Sequence, residues 1–347
     1  MTPNVPLGST RAVHAVAATA DQLATQAAMA MFSRRGNAVD AAIAANAAIA
    51  VTAPHLCGMG GDLFALVHVP GTGVVALNAS GRAGGGADAA GLRADGHAVM
   101  PLRHDVRTVT VPGCVDGWMA LHDRFGSLDL RTILGPAIRL AASGFPASPL
   151  LVGSLALLDE AARPRFDELL GQATAPGARV RRPGVALALQ SIVAGGRRAF
   201  YGGAFGEGLL ALGDGYFTAD DLSRSQAGWV EPLRATALGV EISTIAPNSQ
   251  GYLTLGALRL LDRLGVPEDP DDPQWAHLLV EAASAAGYDR PAVLHEGADG
   301  EALVATIEAR ADLVDPVRAG ARPMAAADGD TTYLCTADSS GMAVSLI

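Results

Sequence analysis

The sequence contains no lysine. All 25 of its Lys and Arg positions are arginine, set against 35 acidic residues, for a formal net charge of -10 over 347 residues. Such a chain repels a phosphate backbone, and its arginines cluster no further than pairs such as Arg34–Arg35, Arg181–Arg182 and Arg197–Arg198, which argues against nucleic-acid binding. The missing lysine, beside abundant Ala, Gly and Arg, fits a high-GC coding bias and says nothing about activity. Cysteine is scarce too: Cys57, Cys114 and Cys335 stand far apart with no C-x-x-C pair, which argues against a disulfide framework and a structural zinc site. Charged residues make up only 17% and hydrophobic ones 50%, with a mean hydropathy of +0.26, so intrinsic disorder is excluded. Long apolar runs are also absent. The longest, 41–54, is interrupted by Asn46 and Thr52 and falls short of the roughly 18 to 20 residues that a membrane-spanning helix needs. Residues 1–21 show no basic region followed by an apolar run, so no signal peptide is visible and a cytoplasmic location is expected; a leader missing from the sequence would leave a periplasmic or secreted one open.

What is present alternates between helical and strand-like segments, the signature of a layered α+β domain. Asp21 is placed to cap a first helix reaching about Arg35, and an alanine-rich helix follows over 39–50. A buried strand is expected over 63–69, a turn at 70–73 and a partner strand over 74–78. Residues 83–107 are rich in Gly and Ala without a period and read as a loop. Helices are expected at 115–125, 129–143, 150–162, 184–194 and 203–212, and Thr218 with Asp221 forms a capping-box pattern. A strand near 240–245 precedes helices at 251–264, 273–287 and 301–311. The small, breaker-rich stretch 315–330 reads as a flexible connector, followed by strands over 331–337 and 342–347.

The position with the most chemical promise is Thr331, at the junction of connector and strand. Cleavage of the Asp330–Thr331 bond would leave a hydroxyl nucleophile and a free α-amine on one residue, and the amine's pKa near 7.7–8 suits a general base. A Thr-Thr pair can equally just begin a strand. The glycine-rich run from Pro54 to Asp62 suits a loop lining a site, or merely close packing of a helix on a sheet. Lying between a helix and a strand, it is no dinucleotide fingerprint, and it lacks the Lys of a P-loop.

Several segments resemble, in order, the γ-glutamyltranspeptidase family: Gly36-Asn37-Ala38-Val39-Asp40, Pro54-His55 to Gly61, Val111-Pro112-Gly113 with Gly117, Pro136-Ala137-Ile138-Arg139 with Gly144-Phe145-Pro146, and Phe217 to Leu222. The last is Asp330-Thr331-Thr332-Tyr333 with Asp338 and Gly341 to Ser345. The resemblance implies an N-terminal-nucleophile hydrolase fold, an αββα sandwich made as one precursor that cleaves itself at Asp330–Thr331. It implies a large-subunit region over 1–330 and the start of a small-subunit region over 331–347. Thr331 is then nucleophile and base, and Thr332 the supporting hydroxyl. Arg82 is the candidate for binding the donor's α-carboxylate. No metal or organic cofactor is implied.

Ser80-Gly81 before Arg82 and Ala83 after it look more like the acylase branch of the family, and Tyr333 and Cys335 stand where His and Ser are frequent. Three readings follow. The first is γ-glutamyl transfer or hydrolysis on glutathione-like amides. The second is a related N-terminal-Thr acylase with another acyl specificity. The third is a non-catalytic fragment: the resemblance implies that oxyanion-hole and pocket residues come from a small-subunit region or chain missing here, most of whose strands would also be absent. The terminal strand 343–347 is expected to be internal, with neighbours supplied by that later region.

Overall fold

The computed structural model describes residues 10–101, 103–321 and 331–347. Asp330 of the expected cleavage site, most of the connector and residues 1–9 lie outside them. The strands that carry the architecture are β1 (Ala15–Ala18), β2 (Leu63–Val69), β3 (Gly73–Ala79), β4 (Gly228–Val230), β5 (Pro232–Ala237), β6 (Val240–Ile245), β7 (Leu334–Asp338) and β8 (Ala343–Leu346). Six of them form one antiparallel sheet in the order β1-β7-β8-β2-β3-β4, while β5 and β6 form a separate hairpin. Strand β8 is internal, as expected, but the expectation about its neighbours is corrected. They are β7 and β2, both within this chain, with Val344 opposite Thr336 on one side and Val67 on the other.

One face of the large sheet is covered by helices. Asp21 accepts from the backbone N–H groups of Leu23 and Ala24 to start α1 (Gln22–Phe32). Asn37 and Asp40 cap α2 (Ala38–Thr52) reciprocally. Every residue of α2 is buried. Its alanines leave it without a bulky side, so α1, the sheet, α3 (Cys114–Phe125) and α4 (Leu130–Ser143) all pack close around it, and α5 (Pro183–Tyr201) packs in turn on α4. Its buried polar groups are bonded: Asp40 accepts from Ser127 N at 3.0 Å, Thr52 Oγ1 donates to Asp21 at 2.8 Å, and Asn46 accepts from Trp118 Nε1 at 2.7 Å.

Strand β7 is fastened to the start of α2. Ala38 N donates to Asp338 Oδ2 at 2.8 Å, and Thr336 Oγ1 donates to Ala38 O at 2.7 Å. The ladder begins at Leu334, opposite Leu346, rather than at Thr331. Its partners end there, β8 at Leu346 and β1 at Ala18, so Thr331 to Tyr333 run on past the sheet.

The β5–β6 hairpin packs with α6 (Gly251–Leu264), α7 (Pro273–Gly287) and α8 (Gly300–Glu308), enclosing a second core with Leu233, Tyr252, Leu255 and Ile307. Strand β6 also lies against β2 and β3, which brings this unit over the large sheet.

Several sequence expectations are revised. The loop expected over 83–107 contains a short helix, Ala89–Ala94, capped by Asp88, and a single 3-10 turn, Val106–Thr108, capped by Asp105. The helix expected over 150–162 stops at Ala156, where Asp159 accepts from Ala162 N and from His104 instead of continuing it. The helix expected to end at 194 runs to Tyr201, across non-helical Gly195 and Gly196. No helix among the described residues is long and apolar enough to cross a membrane.

Candidate active site

A cavity of about 950 Å³ opens where four backbone segments converge: the end of the ladder, the glycine-rich loop before β2, the turn after β3, and the stretch joining β6 to α6. Thr331 and Thr332 both line it. Thr331 is exposed, whereas Thr332 is 4% exposed, and its Oγ1 has no hydrogen-bond partner among the described residues. The two threonines thus reach the cavity from the end of a strand that α2 and both neighbouring strands hold in register.

The glycine-rich loop is locked to the start of α3. Gly113 N and Cys114 N each donate to Gly61 O at 2.9 Å, and Cys114 Sγ approaches Asn46 Oδ1 at 3.6 Å. Asn46 itself lines the cavity, so the buried middle of α2 reaches the site. Asp62 is exposed on the cavity, and partial desolvation raises its carboxyl above the ordinary range. Burial, with the nearby Asp62 charge adding to it, pushes the Cys57 thiol up to about 12, and burial raises Cys114 well above its ordinary value. Cys114 is buried and Cys57 half-buried, and thiols raised in this way are poor nucleophiles. Alkylation of the native protein at pH 8 is expected to label Cys57 about a thousandfold more slowly than in the urea-unfolded chain, since reactivity follows the thiolate fraction. Peptide mass spectrometry measures this, and equal rates in the two states would contradict the placement.

The turn after β3 carries a directed chain of hydrogen bonds. Ser80 N donates to Asn78 Oδ1, Asn78 Nδ2 donates to Asn248 Oδ1, and Asn248 Nδ2 donates to Ser80 Oγ, each at 3.0 Å. Ser80, Gly81, Thr110 and Asn248 line the cavity. Arg82 does not. Its Nη1 donates to Ser225 O at 3.0 Å and to Gln226 Oε1 at 3.2 Å. Gln226 is held in turn by the buried carboxylate of Asp116 on α3, which accepts from Gln226 N at 2.7 Å and meets Arg197 Nε at 2.6 Å. Arg82 therefore follows two lining residues, Ser80 and Gly81, without lining the cavity itself, and its Nη1 is bonded away from it.

The structure brings Thr331, Thr332, the glycine-rich loop and the turn preceding Arg82 to one cavity. Sequence reasoning gave no site role to Ser80, Asn248 or Asn46, and reached Asp62 only as the end of the glycine-rich run. The Asn248-Ser249-Gln250 run between strand and helix was the only local hint of the first pair, since Asn248 meets Ser80 across the fold.

Known proteins resemble this chain in sequence and fold. An oxamate amidohydrolase proenzyme of Klebsiella pneumoniae subsp. pneumoniae is 33% identical over 96% of this chain and 66% of its own length. A glutathione hydrolase-like proenzyme of Bacillus subtilis, YwrD, is 32% identical over 94% of the chain and 64% of its own length. The chain thus spans just under two thirds of the length of these relatives. The crystal structure of cephalosporin acylase from Bacillus halodurans superimposes with a TM-score of 0.84 at 30% identity, covering 99% of this chain and 68% of that one. The fold is that of the N-terminal-nucleophile hydrolases. The family model for γ-glutamyltranspeptidase matches residues 24–347, and with the shared fold this establishes that the chain belongs to the γ-glutamyltranspeptidase family.

Proposed function

We propose that this chain carries the nucleophile of a self-processing amidohydrolase that acts on small acid amides. Cleavage at Asp330–Thr331 frees the Thr331 α-amine, which accepts the proton of the Thr331 hydroxyl as its oxygen attacks the substrate carbonyl. The scissile C–N bond breaks, the amine departs with that proton, and an ester on Thr331 remains. Water, or a second amine, then attacks the ester and restores the hydroxyl. The observation that carries this reading is the position of Thr331, exposed at the end of a fixed strand and opening on a cavity of about 950 Å³. In this reading Thr332, whose buried hydroxyl has no partner among the described residues, is the supporting hydroxyl.

Two acyl specificities compete. In the γ-glutamyl reading, Arg82 binds the donor's α-carboxylate, although it is not among the cavity's lining residues and its Nη1 already serves Ser225 and Gln226. In the other, the acyl group is held without that guanidinium. The engagement of Arg82 and the presence of Ser80 in the lining favour the second. The relatives named as an oxamate amidohydrolase and a cephalosporin acylase proceed in the same direction. Oxamate and the γ-glutamyl and glutaryl anilides, assayed side by side on the processed enzyme from the full coding sequence, separate the two. Higher kcat/KM on oxamate or the glutaryl anilide is expected, and a clear preference for the γ-glutamyl anilide would return the assignment to Arg82.

A further inference from the structure

We propose that Ser80 is a directed hydrogen-bond donor for an acceptor oxygen on the acyl portion of the substrate, held in that polarity by Asn248 and Asn78; this rests on Thr331 as the nucleophile of the same cavity. The polarity follows from one atom whose role is fixed. A backbone N–H can only donate, so Ser80 N at 3.0 Å from the Asn78 side chain makes the facing atom Oδ1. The other end of the Asn78 amide is therefore Nδ2, which donates to Asn248 and requires Oδ1 there. Asn248 must then present Nδ2 to Ser80, and Ser80 Oγ is an acceptor in that bond. A hydroxyl that accepts from one side directs its own hydrogen elsewhere, and Ser80 lines the cavity that also holds Thr331.

The turn is built to hold this atom still. Thr110 Oγ1 donates to Ser80 O at 3.1 Å, and Val111 N donates to Arg82 O at 2.8 Å, so the residues on both sides of Gly81 are tied to the strand-like segment facing them. Among the described lining residues none is Arg, Lys or His. Recognition by these residues thus runs through neutral donors, which suit a carbonyl or carboxylate oxygen and discriminate against an acyl chain that lacks one. The ligand class is a short acyl group with an oxygen acceptor distal to the scissile amide.

Three anilides of one chain length test this on the processed enzyme: glutaryl, its distal amide, and valeryl, which has no distal oxygen. The wild type is expected to show the lower KM for the two oxygen-bearing substrates. Ser80→Ala is expected to raise KM for both about tenfold or more, and to change KM for valeryl far less, so that the preference for the distal oxygen is lost. Ser80→Thr, which keeps the hydroxyl, is expected to restore the preference. Asn248→Asp, of the same shape, offers only acceptors, so the Ser80 hydrogen turns inward; the same KM loss is expected on the distal amide, where no substrate charge is repelled. This second variant carries the test if Ser80→Ala does not fold. Preference for the distal oxygen surviving in either folded variant would overturn the proposal. Turnover surviving Thr331→Ala would instead overturn the nucleophile assignment, so the two failures are distinguishable.

Discussion

Replacing Thr331 by Ala is expected to abolish amide turnover, by about a thousandfold or more, and to leave the Asp330–Thr331 bond uncut. Both effects have one cause. The hydroxyl is the atom proposed to attack the bond before it during processing and the substrate carbonyl afterwards, and no neighbour can take its place. Thr332 is 4% exposed, and its backbone nitrogen remains acylated even after processing, so it has no free α-amine to act as base. Tyr333, 51% exposed, and Ser345 also line the cavity, but neither acquires an α-amine. Thr331→Ser keeps a hydroxyl and the amine, and is expected to process and turn over measurably. Steady-state rates with intact mass on the same samples check both parts. An alanine variant that is cut and active would show that the chemistry lies elsewhere.

The largest expected effect on stability is at the turn that presents Ser80. Gly81 has φ +81°, in the left-handed region, and a Cβ there would lie 1.9 Å from Val111 O. Across the same crossing, a Cβ on Gly113 would lie 1.9 Å from Ala79 O. Both obstructions are backbone atoms that cannot rotate aside. Gly81→Ala combines a backbone cost of about 1–2 kcal/mol with an overpacking cost of about 1–3 kcal/mol, so a loss of roughly 3 kcal/mol is expected. Gly58→Ala, in the loop on the opposite wall, meets nothing within 4 Å and is expected to stay within about 0.5 kcal/mol of wild type. Urea midpoints for the two variants measure the contrast; equal midpoints would mean that the crossing can relax.

The parts legible in the sequence are those decided locally. Strand β2 was read with its observed bounds, because the run Leu63 to Val69 is apolar and flanked by Gly-Asp and Pro-Gly. The Thr218 capping box formed in both halves, with Asp221 N at 3.2 Å from Thr218 Oγ1 and Thr218 N at 2.9 Å from Asp221 Oδ2. Strand β1 was missed because Ala15–Ala18 has little intrinsic strand preference; it is extended because it pairs with Leu334–Asp338 from the far end of the chain. Strand β4 has only three residues, and β5 opens on Pro232 and holds Arg234 and two alanines, residues with little strand preference, so neither shows a strand-like run. The site divides the same way. Thr331 could be singled out because one residue type at one junction carries its chemistry. The Ser80–Asn248 pair could not, because it exists only once the stretch between β6 and α6 has closed over β3, and nothing near either residue encodes the other. Arg82 illustrates the converse: its position along the chain suggested a carboxylate site, whereas its engagement by Ser225 and Gln226 is a property of the fold.

The proposed chemistry requires the hydroxyl of Thr331 to become that of an N-terminal residue. N-terminal sequencing of the purified, active protein tests this most directly. A fragment that begins Thr331-Thr332-Tyr333-Leu334 is expected, with an acyl adduct on its first residue when turnover is quenched. Full activity with the Asp330–Thr331 bond intact would contradict it.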